Sequence, residues 1–269
     1  METSQPSSSP NKLRRVPRKL IVLSLLALFL LPIAARAALY AYERSPSDYR
    51  TADWSSTGSL PRASAAPEAR VLVLSGRTGG WKGVFAVHSW IVLKPENATQ
   101  WQRYDVVGWG EPLRENFRAP DGRWFGDRPR IVADIRGAQA EALIPKIKSA
   151  IKDYKYAQMG DYRIWPGPNS NTFVASVLRS VPEMAVVMPP NAVGRDFRPW
   201  PYIGWTDSGT GIEASLWGLL GVKFAWVEGV EFNFLGLVAG FDIRNPGLKL
   251  PGFGRIGFEG ANATAATRL

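Results

Sequence analysis

Apolar positions in the middle of the chain predict four β-strands. Residues 70–76 and 131–135 are short apolar runs bounded by polar or turn-forming residues. In residues 84–94 the positions of both parities are mostly apolar, which is typical of a strand covered on both faces. The seven-residue turn 95–101 leads from this strand to residues 103–109, so the two are expected to form an antiparallel hairpin. His88 lies within the covered strand, and we expect it to be buried.

Two later segments carry apolar residues at helical spacing. Residues 138–154 place Leu143, Ile147 and Ile151 on one side, with lysines opposite. A second helix is expected to begin at the "GPNSN" stretch and to end before Pro182. Its apolar side comprises Phe173, Val174, Val177 and Leu178. The predicted fold class is therefore α+β, an antiparallel sheet with two packed helices.

An internal repeat marks the last part of the chain. The stretch "GIEASLWGLLG" from Gly211 matches "GVEFNFLGLVAG" from Gly229 at an offset of 18 residues. Short apolar runs separated by glycines predict a duplicated strand and turn unit, that is, a glycine-rich β appendage. Two interpretations remain open for it. The appendage completes the core or covers a sheet edge, or it is a surface that docks on a membrane or a partner.

The N-terminal pattern predicts a membrane segment. A basic stretch precedes sixteen residues without charge, 20–35. Continued apolarity gives a transmembrane anchor over residues 20–42, long enough to cross a hydrocarbon layer of about 30 Å. The alternative is a signal segment cleaved near Ala37, which releases the protein to the periplasm. In either case the basic flank stays in the cytoplasm, and the main domain lies on the extracytoplasmic side of the cytoplasmic membrane.

These patterns divide the chain into six parts. They are a disordered basic N-terminus (1–19), the anchor or signal segment (20–42), a linker (43–68), the α+β core domain (69–204), the duplicated β segment (205–260) and a disordered tail (261–269).

Composition excludes several classes of function. The formal charge is +10, but the first 37 residues hold six basic residues and one acidic residue, which leaves 27 basic against 22 acidic elsewhere. With no long basic run there is no phosphate stripe, and we expect no nucleic-acid partner. The absence of cysteine and the presence of one histidine exclude disulfides, thiolate zinc sites and histidine-pair metal motifs. We therefore expect neither a metal nor a cofactor.

The start of the second helix is the candidate catalytic position. Asn169, Ser170 and Asn171 supply more polar side chains than one helix cap requires. Ser170 is the candidate nucleophile, because helix-terminal amides can stabilise an oxyanion and His88 is the one imidazole that could act as base. The alternatives are that Ser170 is a plain capping residue and that His88 is an inert core histidine.

A third catalytic group depends on the register of the hairpin. If Leu93 pairs with Trp101, Tyr104 shares the face of His88 and Asp105 lies on the other face. A slip of one residue reverses this assignment, so Asp105 or Tyr104 is the orienting candidate.

Asn169, Asn171, Trp90 and Trp165 are the candidate binding residues. A second serine, Ser208 in "TDSGTG", echoes the serine loop of trypsin-like proteases, but the flanks of His88 lack the histidine motif of that family.

Several long motifs resemble a known family. "WKGVFAVHSWIVLKP", "RYDVVGWG", "GDYRIWPGPNSNTFV" and "LKLPGFGRIG" are similar to the bacterial family called domain of unknown function 3750, over roughly residues 51–258. The family name implies no activity.

The order of a strand histidine and a later Asn-nucleophile pair at a helix start more distantly resembles circularly permuted papain-like hydrolases of the NlpC/P60 class. Those proteins have cysteine where this chain has Ser170. The resemblance implies a permuted papain-like core and a ligand such as peptidoglycan peptide or a lipid acyl group. We therefore expect a membrane-anchored envelope protein with a binding or structural role. The alternative is an active serine amidase, peptidase or acyl hydrolase that uses Ser170 and His88.

Overall fold

The computed structural model describes residues 17–43 and 48–257. The first element is α1, Arg18–Glu43, an apolar helix with Pro32 inside it. It is long and apolar enough to cross a membrane, which agrees with the predicted anchor over residues 20–42. Most of the predicted N-terminal disorder (1–19) and the whole predicted tail (261–269) lie outside the described residues.

A five-stranded antiparallel sheet forms the centre of the first half, in the order β4-β3-β2-β1-β5. Its strands are β1 (Arg70–Arg77), β2 (Val87–Lys94), β3 (Gln102–Val106), β4 (Leu113–Glu115) and β5 (Arg130–Arg136). The predicted β2–β3 hairpin is confirmed. Strand β5 pairs with β1 alone, so its outer edge is unpaired among the described residues.

Two helices pack on one face of this sheet, as the helical periodicity predicts. They are α2 (Gly137–Lys152) and α3 (Ser170–Ser180). Ile91 and Leu93 of β2 and Phe173 of α3 belong to the same buried apolar cluster. We call this side of the sheet the helix face.

The opposite side of the sheet, the tryptophan face, is covered by loops. Trp90 and Val92 pack there with Trp124, and Trp54 joins the cluster from the segment that precedes β1. Asp121 accepts hydrogen bonds from nearby hydroxyl groups, which are those of Ser56, Thr57 and Ser59. The described part of the predicted linker, residues 48–68, is therefore packed on the sheet rather than extended away from it.

A seven-stranded antiparallel meander, in the order β12-β11-β10-β9-β8-β7-β6, makes up the C-terminal part. The strands are β6 (Tyr202–Trp205), β7 (Gly211–Leu216), β8 (Leu220–Ala225), β9 (Gly229–Phe234), β10 (Leu237–Asp242), β11 (Gly247–Leu250) and β12 (Gly254–Gly257). The sequence repeat corresponds to two hairpins, β7–β8 and β9–β10. Trp217 and Gly218 in one turn, and Leu235 and Gly236 in the other, all have positive φ, the conformation that tight hairpin turns require.

Candidate functional site

Asn169 caps α3. Its side-chain oxygen accepts hydrogen bonds from the backbone amides of Asn171 and Thr172, at 2.9 and 3.1 Å. The hydroxyl of Thr172 in turn accepts from the backbone amide of Asn169, which completes a capping box. The side-chain nitrogen of Asn169 donates to the carbonyls of Ile164 and Val193. One side chain therefore caps the helix and fastens two loops to it.

Asn171 is a second tether at the same helix end. Its side-chain nitrogen donates to the carbonyl of Val87, at 2.8 Å, and to that of Val193, at 2.9 Å. The first contact joins α3 to the start of β2. The surplus of polar residues that motivates a catalytic hypothesis is thus largely accounted for by structural hydrogen bonds.

Ser170 is the first residue of α3 and is only 4% exposed. The phenol of Tyr162 lies beside it. Burial raises the pKa of Tyr162 to about 12, and hydrogen bonding with Ser170 opposes that rise. At neutral pH this phenol is protonated, so it is not a base that could activate the serine.

His88 lies in a different environment. Its ring stacks on Trp124, with centroids 3.6 Å apart and planes 4° from parallel. The Nε2 atom is 3.9 Å from Oδ2 of Asp105, which is too long for a hydrogen bond. Burial lowers the pKa of His88, although Asp105 opposes the shift. The predicted burial is confirmed, and at neutral pH the ring is uncharged.

The hairpin register decides between Asp105 and Tyr104. Leu93 pairs with Gln102, one residue away from the Leu93–Trp101 pairing considered above. Asp105 consequently lies on the tryptophan face with His88, while Tyr104 points to the helix face.

Asp105 is held mainly by Arg103. Its Nε donates to Oδ2 of Asp105 at 2.8 Å. The guanidinium group also stacks over the ring of Trp90, with Cζ 4.1 Å from the ring centroid. Burial opposes ionisation of Asp105, but the proximity of His88 and the charge of Arg103 outweigh it and lower the pKa of Asp105.

Ser170 and His88 are not brought together. Side chains alternate between the two faces of a strand, so His88 and Trp90 point away from Ile91 and Leu93. Helix α3 packs on the face of Ile91 and Leu93. The sheet therefore lies between the candidate nucleophile and the candidate base, and both side chains are buried.

The four candidate binding residues occupy mostly closed positions. Asn169, Asn171 and Trp90 are buried, and the indole of Trp90 donates to the carbonyl of Pro120. Trp165 is half exposed and donates to the carbonyl of Leu235 in the C-terminal sheet. Ser208, the other serine considered, donates to the carboxylate of Glu228 beside the β6–β7 turn. Among the described residues no cluster of metal-ligating side chains is present.

A cleft of about 1230 Å³ lies elsewhere, beside the free edge of β5. One wall is formed by residues 131–136 and the other by residues 184–191. The end of α1 and turns of the C-terminal sheet close its two sides, and the lining contains seven basic and four acidic residues. The sequence does not predict this cleft. It correctly predicts a strand over residues 131–135, but it does not indicate that the strand lies at the edge of the sheet.

The pattern of motifs over the core agrees with a family model. The model of the family described as protein of unknown function (DUF3750) matches residues 68–197. Residues 68–197 belong to this family. The matched DUF3750 region contains the five-stranded sheet, α2, α3 and both halves of the candidate site, and it ends before the C-terminal sheet begins. No curated protein and no solved structure matches the chain.

Proposed function

We propose that the protein is a membrane-anchored binding protein of the bacterial cell envelope, and that the cleft beside β5 holds an extended peptide. The anchor is α1, with the main domain on the extracytoplasmic side. Descent from permuted papain-like hydrolases, inferred from the order of His88 and Ser170, is part of this proposal. In that case Ser170 occupies the place of the former cysteine without its chemistry.

The observation that carries the proposal is the unpaired edge of β5 inside a cleft of peptide size. An exposed strand edge offers a row of backbone donors and acceptors, and an extended peptide can add to it as a further strand. Residues 131–136 line the cleft without interruption, so their edge faces the space. Of the two ligand classes implied by the resemblance, this geometry favours a peptide over a lipid acyl chain.

The charge of the cleft indicates which peptides fit. Arg130 and Arg244 line it, and neither side chain makes an ion pair with a described residue. Two such guanidinium groups favour a ligand with carboxylates, because charge-assisted hydrogen bonds to carboxylates are the strong ones. Peptidoglycan stem peptides and acidic linear peptides both satisfy this condition.

Amide hydrogen exchange of the full chain in mild detergent tests the proposal. Soluble stem peptides and acidic linear peptides are the two probes, added in separate arms. We expect at least one of them to slow exchange in residues 131–136. The Val187→Glu variant, which places a negative charge in the opposite wall and repels a ligand with carboxylates, should lose this protection. Met159→Glu introduces the same residue at an exposed position outside the cleft and should retain it.

Two results would contradict the proposal. One is unchanged exchange in residues 131–136 with both probes at saturating concentration. The other is protection that Val187→Glu leaves intact.

Hydrolysis through Ser170 and His88 is the alternative, and the placement of the two side chains on opposite faces of the sheet gives it no support. We expect a fluorophosphonate probe to label the wild type no more than Ser170→Ala. Labelling of the wild type that is lost in both Ser170→Ala and His88→Ala would restore the catalytic hypothesis.

A further inference from the structure

The C-terminal sheet carries an apolar face that points outward. Strand pairing places residues such as Trp205, Ile212, Phe224 and Val230 in one row across the strands. The outer face consists of Ile203, Trp205, Ile212, Ala214, Leu216, Leu220, Val222, Phe224, Val230, Phe232, Phe234, Leu237, Ala239, Phe241, Leu248, Leu250 and Ile256. None of these side chains is polar or charged.

Many of these side chains are largely exposed. Ile203 is 89% exposed, and Ile212 and Phe224 are each 63% exposed. Soluble monomers rarely expose contiguous apolar patches of more than a few hundred Å². A patch that extends over seven strands therefore requires a contact that is absent when the chain is alone in water.

The charged residues of the same strands lie on the opposite, inner face. Glu213, Lys223, Glu231 and Lys249 are each at most 9% exposed and are joined by ion pairs. The sheet thus has the reverse of the arrangement expected for a soluble sheet, in which apolar side chains face the core and polar ones face water.

Helix α1 lies against the outer face. The ring of Phe29 meets the ring of Phe234 at a centroid distance of 5.9 Å, and α1 also contacts β10 and β11. Further along the helix, Ile33 packs against Gly252 in the β11–β12 turn. Between residues 20 and 35, most of the described α1 side chains are exposed and apolar. If lipid surrounds α1, it therefore also reaches the outer face beside the helix.

Tryptophans border the outer face. Trp205 ends β6, Trp217 lies in the β7–β8 turn, Trp226 lies in the β8–β9 turn and Trp200 precedes β6. All four are between 43% and 74% exposed. Tryptophan is enriched at the boundary between acyl chains and headgroups, because its ring is apolar while its N–H remains hydrated.

We infer that the outer face of the C-terminal sheet rests on the lipid bilayer beside α1, with its apolar side chains among the acyl chains near the headgroups. The sheet is open at β6 and β12 in the described residues. Unpaired strand edges are not tolerated in the hydrocarbon core, so the open edges lie at the interface, and only the β9–β10 turn beside Phe29 reaches further along α1. The inference is independent of the cleft and of its ligand.

Single-cysteine labelling of the full chain tests this inference, since the chain contains no cysteine of its own. Phe224→Cys and Ile203→Cys each place an environment-sensitive fluorophore on the outer face. Ala142→Cys, at an exposed position of α2, is the matched control. Each variant is reconstituted in vesicles of phosphatidylcholine and phosphatidylglycerol, with and without doxyl-labelled lipid. We expect a blue shift and doxyl quenching at residues 224 and 203, with neither effect at residue 142.

Two outcomes would overturn the inference. If the sheet labels are quenched no more than the label at residue 142, the outer face does not touch lipid. If they are blue-shifted without quenching, and Phe224→Cys cross-links to a second copy on oxidation, another protein covers the face. The use of two sheet positions keeps the test valid if one substitution prevents folding.

Discussion

The two sheets of this protein distribute apolar and charged residues in opposite ways. In the five-stranded sheet both faces are covered and mostly apolar, with Ile91 under the helices and Trp90 under the loops, although the latter face also holds the buried Arg103–Asp105 pair. In the C-terminal sheet the covered face is charged, as at Glu231, and the apolar face is exposed, as at Phe224. Burial of apolar surface therefore dominates the first sheet, whereas ion pairs dominate the covered face of the second.

This difference indicates what each sheet can contribute. Truncating a buried apolar side chain loses its own contacts and leaves a cavity, whereas removing one member of a buried ion pair also leaves an uncompensated charge. Folding leaves many apolar side chains of the C-terminal sheet exposed, so they can contact lipid or another protein.

The largest effect is expected from removing one charge from the inner face. Glu231 pairs with both Arg195 and Lys249, and all three are buried. Glu231→Ala leaves two buried cations without this partner, and we expect a loss of about 3–5 kcal/mol in the free energy of unfolding. Urea unfolding of the full chain in mild detergent measures it.

The control for this prediction is Glu183→Ala, which removes the same group from an exposed pair with Lys146. Exposed pairs are screened by solvent and contribute little to stability, so the two variants should differ clearly. Equal losses of unfolding free energy in the two variants would mean that water solvates the charges of the inner face. The proposed difference between the two sheets would then be wrong.

A truncation in the five-stranded sheet should rank next. Ile91 is fully buried beneath the helices, and Ile91→Ala removes apolar contacts and leaves a cavity. We expect a loss of about 2–5 kcal/mol, measured by the same urea unfolding. A loss below about 1 kcal/mol would show that the helix face is loosely packed.

Much of the fold follows from the sequence. The hydrophobic pattern predicts the covered strand around His88, its hairpin and the duplicated strand units, and the structure contains each of them. The register was not determined by the pattern. Because β2 is apolar on both faces, a slip of one residue changes the hydrophobic match very little. The alternation in the C-terminal sheet likewise separates two faces without indicating which one is buried.

The candidate site shows a second limit. The sequence places His88 with Trp90 on one face and Ile91 with Leu93 on the other, but it does not show on which face α3 packs. Because α3 packs on the face of Ile91 and Leu93, Ser170 and His88 lie on opposite sides of the sheet. The cleft beside β5 depends on the order of strands in the sheet and on the position of distant loops. The sequence pattern of residues 131–136 predicts neither.

Acidification should act on the five-stranded sheet through His88. Its pKa is lowered in the folded protein by burial, so between the usual value near 6.5 and the folded value the unfolded chain binds more protons. The stabilising contribution is complete above about pH 6.5 and is lost as the pH falls, by up to about 1.4 kcal/mol per pH unit. Urea unfolding at pH 7.0, 6.0 and 5.0 measures the slope.

His88→Phe is the control for this slope, because it keeps an aromatic ring against Trp124 and removes the only imidazole. We expect the variant to lose little stability between pH 7 and 5, since carboxylates titrate mainly below this range. An unchanged slope in the variant would assign the pH dependence to other groups.

The smallest effect is expected on the outer face. Ile212→Ala makes the same change as Ile91→Ala, at a side chain that is 63% exposed. Little apolar surface leaves water when Ile212 folds into place, so the loss should stay within about 0.5 kcal/mol. The same unfolding measurement, repeated over a range of protein concentrations, checks it. A loss as large as that of Ile91→Ala, growing with protein concentration, would mean that a second copy already covers this face, and the two sheets would then be buried alike.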